Sequence, residues 1–200
     1  MINIAIFASG KGSNADNLCG HFMFHAGIRI ALITSDRKAA GVFDVAAKYK
    51  IPSAHLSKEV LQSSTGILDL LTSHDIHFIV LAGYLKLMPV QIIHTYNNRI
   101  LNIHPALLPN YGGKGMFGRH VHQAVFDAHD TETGITIHLV NEEYDKGTIV
   151  FRTAVKLNQE DTPDQIAAKV HQLEMKFLPG VVEKWILESP PKNSLRLVII

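Results

Sequence analysis

Phe78-Ile79-Val80-Leu81-Ala82 is apolar at every position. A strand buried on both faces has this composition, because helices cover both sides of a parallel sheet. Strand patterns recur at residues 4–8, 28–34, 53–56 and 100–103. A helical pattern follows the turn at residues 9–14 and runs to residue 25, and others lie at 42–49, 65–73 and 89–96. This alternation predicts an α/β fold: one Rossmann-like domain over residues 1–200, with a mostly parallel sheet flanked by helices.

The pattern changes after about residue 130. Residues 133–140 alternate between apolar and polar side chains, and residues 148–156 form a neighbouring strand pattern. We expect these to be antiparallel edge strands toward the C-terminus. Residues 163–187 then predict a final helix, whose apolar side chains recur at helical spacing.

Charge and composition exclude several classes of function. The net charge of +1 gives no electrostatic reason to expect nucleic acid or an anionic membrane as partner. No apolar run reaches the roughly 18–20 residues of a membrane span, and the first residues lack a secretory signal pattern. We therefore expect a cytoplasmic protein. Cys19 is the single cysteine, so an intrachain disulfide or a multi-cysteine zinc site is excluded and no metal is predicted.

The stretch Leu101-Asn102-Ile103-His104-Pro105 carries a polar pair on an apolar strand. Side chains two apart project to the same face, and proline ends the strand, so Asn102 and His104 should lie where the strand opens into a loop. An amide donor beside an imidazole can polarise a carbonyl and move a proton. The alternative is a buried pair that satisfies its own hydrogen bonds.

The turn Ser9-Gly10-Lys11-Gly12-Ser13-Asn14 lies between the first strand and the first helix. Glycines and a helix N-terminus bring backbone amides to an anion, and Ser13 or Asn14 is expected to cap the helix. Ala15 replaces the third glycine of a dinucleotide fingerprint, and the turn lacks the Gly-Lys-Ser/Thr ending of a nucleotide-triphosphate loop. The turn therefore indicates a monophosphate site or, alternatively, a tight turn without a ligand.

Asp145 lies in an acidic turn that follows the strand at 133–140. If the sheet returns this turn to the end of the strand at 100–103, its carboxylate can orient His104 and raise its basicity. Thr136 and His138, again two apart, would support that site from the neighbouring strand. The alternatives are a solvated hairpin and a core histidine.

Taken together, five short motifs resemble the phosphoribosylglycinamide formyltransferases, folate-dependent enzymes of purine synthesis, over almost the whole chain. The motifs are Ser9-Gly10-Lys11-Gly12-Ser13-Asn14, Val80-Leu81-Ala82-Gly83-Tyr84-Leu85-Lys86-Leu87-Met88, Asn102-Ile103-His104-Pro105-Ala106-Leu107-Leu108-Pro109, Gly134-Ile135-Thr136-Ile137-His138 and Asp145-Lys146-Gly147. The resemblance implies formyl transfer from 10-formyltetrahydrofolate to the primary amine of glycinamide ribonucleotide, with no metal.

The resemblance also implies a role for each matching residue. The implied catalytic residues are Asn102, His104 and Asp145. The implied phosphate-binding residues are Gly12, Ser13 and Asn14. The residues implied at the glycinamide end of the substrate are His171, Gln172, Leu173 and Glu174. The residues implied at the folate are Leu85, Lys86, Leu87, Met88, Asn102, Asn141, Glu142, Glu143, Tyr144 and Asp145.

Two segments depart from the family pattern. Residues 58–65 lack the arginine that some members place there for the folate, so no folate contact is assigned in that segment. The glycine-rich loop at residues 112–118 is longer than the commonest version. It is expected to be a mobile lid whose Lys114 reaches the substrate phosphate or, alternatively, a surface insertion. His120 and His122 are assigned to this lid rather than to a metal.

Other functions remain open from the sequence. A sugar-nucleotide N-formyltransferase is one alternative, because the phosphate turn does not specify what carries the phosphate. A catalytically silent nucleotide-binding module is another. The apolar residues 195–200 would invite pairing with another chain, so a homodimer is expected.

Overall fold

The strands form one mixed sheet in the order β3-β2-β1-β4-β5-β6-β7, in a computed structural model that describes residues 1–63 and 65–189. The strands are β1 (Ile2–Phe7), β2 (Ile28–Ser35), β3 (Ser53–His55), β4 (Phe78–Leu81), β5 (Ile100–His104), β6 (Glu132–Leu139) and β7 (Ile149–Lys156). Every pair from β3 to β5 is parallel, and β6 and β7 are antiparallel. The predicted α/β fold and antiparallel C-terminal strands are confirmed.

Helices connect the strands and cover the sheet. They are α1 (Ser13–Phe22), α2 (Val42–Tyr49), α3 (Lys58–Gln62), α4 (Gly66–Ser73), α5 (Val90–Thr95), α6 (Arg119–Asp127) and α7 (Pro163–Glu188). Within the described ranges, no helix has the length and apolar character that a membrane span requires.

Strand β1 shows why both faces of the sheet are covered. Ile4 and Ile6 pack in one core cluster with side chains of α1, α2 and α7. Ala5 and Phe7, which point to the opposite face, pack in a second cluster with side chains of α4 and α5. The continuous apolar pattern of the central strands follows from burial on both sides.

Helix α7 begins at a strong N-terminal signal. The Thr162 hydroxyl accepts a hydrogen bond from the backbone N–H of Gln165, whose side chain accepts one from the backbone N–H of Thr162. Pro163 occupies the first turn, where its missing N–H costs no hydrogen bond. The helix packs along α1 and β6, which brings its middle turns to the glycine turn after β1.

Local structure differs from expectation at several places. Gly12, with φ of +87°, precedes α1, and neither Ser13 nor Asn14 caps it by a side chain. The helix ends at Phe22 rather than at residue 25. The segment around residues 58–73 holds two short helices rather than one, and α6 was not predicted. Residues 195–200, on which the homodimer prediction rests, lie outside the described residues.

The chain order places a crevice at the ends of β1 and β4. From β1 the chain builds outward through β2 and β3, then returns to place β4 on the other side of β1. The loops that follow β1 and β4 therefore diverge, and open α/β sheets bind their ligands at this position. The carboxyl end of β5, with Asn102 and His104, lies beside it.

Candidate active site

A cavity of about 1100 Å³ opens at the carboxyl ends of β1, β4 and β5. The glycine turn after β1 and the α7 residues His171 and Glu174 line it, as does the segment after β4. The turn after β6 and the glycine-rich loop before α6 also contribute. All the sequence motifs that suggested chemistry therefore meet at one cavity.

Asn102, His104 and Asp145 lie together at the centre of this cavity. Asn102 Nδ2 is 3.4 Å from Asp145 Oδ1, and His104 Nδ1 is 3.5 Å from the same oxygen. Asp145 arrives from the turn after β6 because β6 runs antiparallel to β5. His104 is 3% exposed and the side chain of Asp145 is 10% exposed, so both are largely removed from water.

His138 is bonded within this group. It pairs with Asn102 across the β5–β6 ladder, and Asn102 Nδ2 donates to His138 Nε2 at 3.1 Å. His138 Nδ1 donates to the carbonyl of Leu139 at 2.8 Å, so its single proton belongs on Nδ1. His138 thereby fixes the amide of Asn102 and lies 3.6 Å from Asp145 Oδ1.

Thr136 acts on the loop rather than on the reacting groups. It pairs with His104 on the neighbouring strand. Its hydroxyl donates to the carbonyl of Ala106 at 2.7 Å and accepts from the N–H of Leu108 at 3.0 Å. These two bonds fold the chain sharply after His104 and so define where β5 ends.

Burial sets the protonation of His104. Desolvation lowers its pKa below the ordinary value, and this effect exceeds the opposing influence of Asp145 and of the Tyr111 carbonyl. As expected, the contact with Asp145 by itself raises the pKa of His104. The net pKa is nevertheless lowered, because desolvation has the larger effect. Burial favours a raised pKa at Asp145, yet His138 and His104 when they are protonated, together with the N–H of Gly113, hold the pKa of that carboxyl below its usual value.

The glycine turn is closely packed against α2. A Cβ on Gly12 would lie 2.8 Å from the Cα of Val42, so a side chain cannot be accommodated there. Ser13 is exposed at the first turn of α1, and Asn14 is buried. Asn14 Nδ2 donates to Glu174 Oε2 at 3.1 Å. Gly12, Ser13 and Asn14 all line the cavity, so the N-terminus of α1 lies at its wall, as an anion site requires.

Two of the four residues expected at the glycinamide end line the cavity. His171 and Glu174 are three apart on α7 and so share a helix face, with His171 Nδ1 3.3 Å from Glu174 Oε2. Gln172 is exposed outside the cavity, and Leu173 packs against the core. Burial raises the pKa of Glu174 above its ordinary value, against the influence of His171 and Asn14.

The residues expected at the folate divide in the same way. Those that line the cavity are Leu85, Lys86, Leu87, Met88, Asn102, Asn141, Glu143, Tyr144 and Asp145. Glu142 does not, because its exposed carboxylate pairs with His94 Nε2 at 2.8 Å on the surface. The wall formed by Leu85 and Leu87 is apolar, which suits a flat aromatic ring.

Ser9 and Asp36 connect the two ends of the cavity, and the sequence did not single out this contact. Ser9 Oγ donates to Asp36 Oδ1 at 2.5 Å and accepts from the N–H of Leu85 at 3.1 Å. Lys86 Nζ lies 3.7 Å from Asp36 Oδ2. Asp36 directly follows β2, and a polar residue at the end of a parallel strand was the available signal.

The loop at residues 112–118 covers part of the cavity, with Lys114 exposed. His120 is exposed on α6, whereas His122 is buried on the inner side of that helix. Burial, together with His104, lowers the pKa of His122. His122 lies on α6 rather than in the loop and lines the cavity from there, so its assignment to the lid stays a prediction.

No group of three or more His, Cys, Asp or Glu side chains within residues 1–63 and 65–189 is arranged to hold a metal ion.

Comparison with known proteins places the chain in a family. Residues 2–182 match the formyl transferase family model. The chain is 36% identical to the chloroplastic phosphoribosylglycinamide formyltransferase of Arabidopsis thaliana, covering 94% of this chain and 69% of the relative. It is 31% identical to the phosphoribosylglycinamide formyltransferase of Bacillus subtilis, covering 92% of this chain and 94% of the relative.

Solved structures agree. The phosphoribosylglycinamide formyltransferase of Bacillus halodurans superposes with a TM-score of 0.84 at 31% identity, over 96% of this chain and 98% of that one. The Brucella melitensis enzyme gives 0.82 at 33% identity, over 92% and 95%. The resemblance predicted from the motifs is confirmed, and the chain belongs to the formyl transferase family, among the phosphoribosylglycinamide formyltransferases.

Proposed function

We propose that the chain transfers the formyl group of 10-formyltetrahydrofolate to the primary amine of N1-(5-phospho-D-ribosyl)glycinamide. The products are the N-formyl nucleotide and tetrahydrofolate, and the step belongs to purine synthesis. One observation carries the proposal: Asn102, His104 and Asp145 lie in a single cavity between a glycine turn suited to phosphate and an apolar wall suited to a pterin.

The glycine turn accounts for the nucleotide end. The N–H groups of Gly12, Ser13 and Asn14 lie at the positive end of α1, where a phosphate is stabilised. Lys11 and Arg37 line the same part of the cavity and add positive charge. Glu174, bonded to Asn14, is then in position to face the amine.

The segment after β4 and the turn after β6 account for the folate end. A cavity of about 1100 Å³ exceeds the roughly 300–1000 Å³ of a site for one drug-sized ligand, so it suits two substrates held together. When bound, 10-formyltetrahydrofolate supplies the formyl carbon as electrophile. Leu85, Leu87 and Tyr144 provide the apolar walls.

The reaction forms one bond and breaks one. The substrate amine attacks the formyl carbon, the bond from that carbon to N10 breaks, and a proton moves from the amine to N10. Asn102 donates an N–H to the negative charge that develops on the formyl oxygen. The Asn102 N–H that points at Asp145 over 3.4 Å makes the longer of the two contacts of this amide, so it is the N–H that the formyl oxygen would engage.

His104 carries the proton. Its lowered pKa keeps the ring neutral at pH 7, so it accepts the amine proton and then delivers it to N10. The imidazolium formed in between lies beside Asp145, whose lowered pKa keeps it negatively charged. The burial of this ring therefore favours its protonation by the substrate amine during the reaction.

One assay tests this proposal against its alternatives. Purified protein is given 10-formyltetrahydrofolate with either glycinamide ribonucleotide or an amino-sugar nucleotide, and tetrahydrofolate formation is followed by absorbance. We expect turnover with glycinamide ribonucleotide alone. Preference for the amino-sugar nucleotide would support a sugar-nucleotide N-formyltransferase, and tight binding without turnover would support a silent binding module. A cytoplasmic location and a homodimer stay predictions from the sequence.

A further inference from the structure

Three consecutive residues, Tyr111, Gly112 and Gly113, reach both His104 and Asp145 through their backbone. The carbonyl of Tyr111 accepts a hydrogen bond from His104 Nε2 at 2.8 Å. The N–H of Gly113 donates to Asp145 Oδ2 at 2.9 Å. A single short piece of chain therefore touches the imidazole and the carboxylate at once.

Both the residue types and the backbone conformation of this segment are constrained. A Cβ on Gly112 would lie 2.6 Å from Leu108 Cδ2 and 3.2 Å from the Cβ of Asp145. Gly113 has φ of +103°, and Tyr111 has φ of +55° despite its side chain. Left-handed backbone at a residue other than glycine persists where surrounding contacts hold it, and such residues cluster at functional sites.

The side chain of Tyr111 anchors the segment from outside. Its hydroxyl donates to Asp130 Oδ2 at 2.7 Å, in the turn between α6 and β6. Asp130 is exposed and lies remote in sequence from the reacting groups. The ring thus fixes the carbonyl of the same residue against His104.

These contacts decide where protons can lie. A neutral imidazole carries one proton, and donation to the Tyr111 carbonyl places it on Nε2. Nδ1 then bears the lone pair and faces Asp145 Oδ1 at 3.5 Å. Because Gly113 occupies Oδ2, Oδ1 is the oxygen turned toward the imidazole.

We propose that Tyr111, Gly112 and Gly113 are positioning residues whose backbone holds the His104 proton on Nε2 and orients Asp145, leaving Nδ1 as the nitrogen that exchanges the reacting proton. The catalytic meaning of this arrangement rests on the proposed function. The tautomer and the carboxylate orientation do not, since they follow from contacts in the free protein.

The first test reads the tautomer directly. Nitrogen-15 NMR of the full chain at a pH where His104 is neutral separates the two forms of the ring, with a His104→Gln variant to assign the signals. We expect protonated Nε2 and unprotonated Nδ1. Protonated Nδ1 as the major form would overturn the proposal, whether or not the chain formylates glycinamide ribonucleotide.

The second test displaces the segment. In Gly112→Ala the added methyl group pushes against Asp145 and Leu108, and a displaced catalytic group costs about 10- to 100-fold in kcat. We expect that loss, KM values within about twofold of wild type, and mixed His104 tautomers. Wild-type kcat with the wild-type tautomer in folded Gly112→Ala would overturn the proposal.

Gly66→Ala is the matched control for crowding. A Cβ on Gly66 would lie 2.9 Å from the carbonyl oxygen of Val60, and Gly66 lies outside the cavity. We expect reduced stability with wild-type kcat, and an equal loss of kcat in both variants would contradict positioning. If Gly112→Ala fails to fold, Tyr111→Phe releases the anchor to Asp130, and an unchanged tautomer and kcat would contradict the role of Tyr111.

Discussion

Asn14 on α1 donates a hydrogen bond to the carboxylate of Glu174 on α7, 160 positions later in the chain. The bond joins the turn that we propose for the phosphate to the carboxylate that we propose for the glycinamide end. If both proposals hold, this contact exists before the substrate arrives, which reduces the ordering cost of binding.

Glu174→Gln should raise the stability of the protein while lowering its activity. Burial raises the pKa of Glu174, so the ionised carboxylate opposes folding at neutral pH, and a neutral isostere removes that cost. We expect the melting temperature to rise by about 2–4 °C, the shift that about 1 kcal/mol produces in a chain of this size. We expect kcat/KM for glycinamide ribonucleotide to fall at least tenfold. A lower melting temperature would contradict the account of the burial cost.

Asn102→Ala should remove the donor to the formyl oxygen. Loss of one such donor typically costs about 100- to 1000-fold in kcat. Steady-state kinetics with both substrates measures it, and circular dichroism confirms the fold. A folded Asn102→Ala variant with kcat within tenfold of wild type would contradict the role of this amide.

The titration of His104 has a definite sign. Its folded pKa lies below the ordinary 6.5, so the unfolded chain binds the extra proton first and stability falls as pH drops below 6.5. The lowered pKa of Asp145 acts in the same direction at more acidic pH. We expect an NMR midpoint for His104 below 6.5, and a still lower one in Asp145→Asn. An increase in the Asp145→Asn variant would show that this carboxylate does not stabilise the imidazolium.

Two buried threonines on β6 form a matched pair. Thr136→Val leaves the carbonyl of Ala106 and the N–H of Leu108 without their partner, at about 1–3 kcal/mol for each such group. Thr133 is 2% exposed, and its hydroxyl has no partner among the described residues. We therefore expect Thr133→Val to be neutral or stabilising. Denaturant unfolding of both variants measures the difference, and equal destabilisation would contradict this reading.

The glycine-rich loop offers a proteolysis test. Lys114 and Arg119 are exposed, at the cavity and at the start of α6, and both are trypsin sites. If Lys114 closes on the substrate phosphate, glycinamide ribonucleotide should slow cleavage at Lys114 severalfold while leaving cleavage at the remote Lys184 unchanged. Equal cleavage rates with and without the nucleotide would indicate a surface insertion.

The sheet and the motifs were predictable because each depends on local pattern. Five apolar residues at 78–82 and the alternation around them sufficed for the parallel core, and the spacing of Asn102 and His104 placed both at the end of β5. The net lowering of the His104 pKa was not predictable, because it comes from burial by residues that are distant in sequence. For the backbone contacts of Tyr111 and Gly113, the glycine pair at 112–113 marked an unusual backbone but not the groups that this backbone contacts.

Helix α6 escaped prediction for a related reason. Its buried residues are Val121, His122 and Val125, and the histidine interrupts an otherwise apolar face. The valine pair four apart was the available signal, but Gly118 supplies no side-chain cap to mark the start. At Asn14 the sequence predicted a helix cap that the structure does not have. The Asn14 side chain instead donates its amide N–H to Glu174, because a tertiary contact outweighs the local capping preference.

The register of the ladder between β5 and β6 limits which insertions the chain can tolerate. Side chains alternate along a strand, so one extra residue inside β6 ahead of Thr136 would turn both Thr136 and His138 away from Asn102 and His104. The register of the β5–β6 ladder therefore tolerates substitutions far better than insertions. Single-codon insertions within β6 ahead of Thr136 should therefore yield chains that retain much of their structure yet have lost turnover.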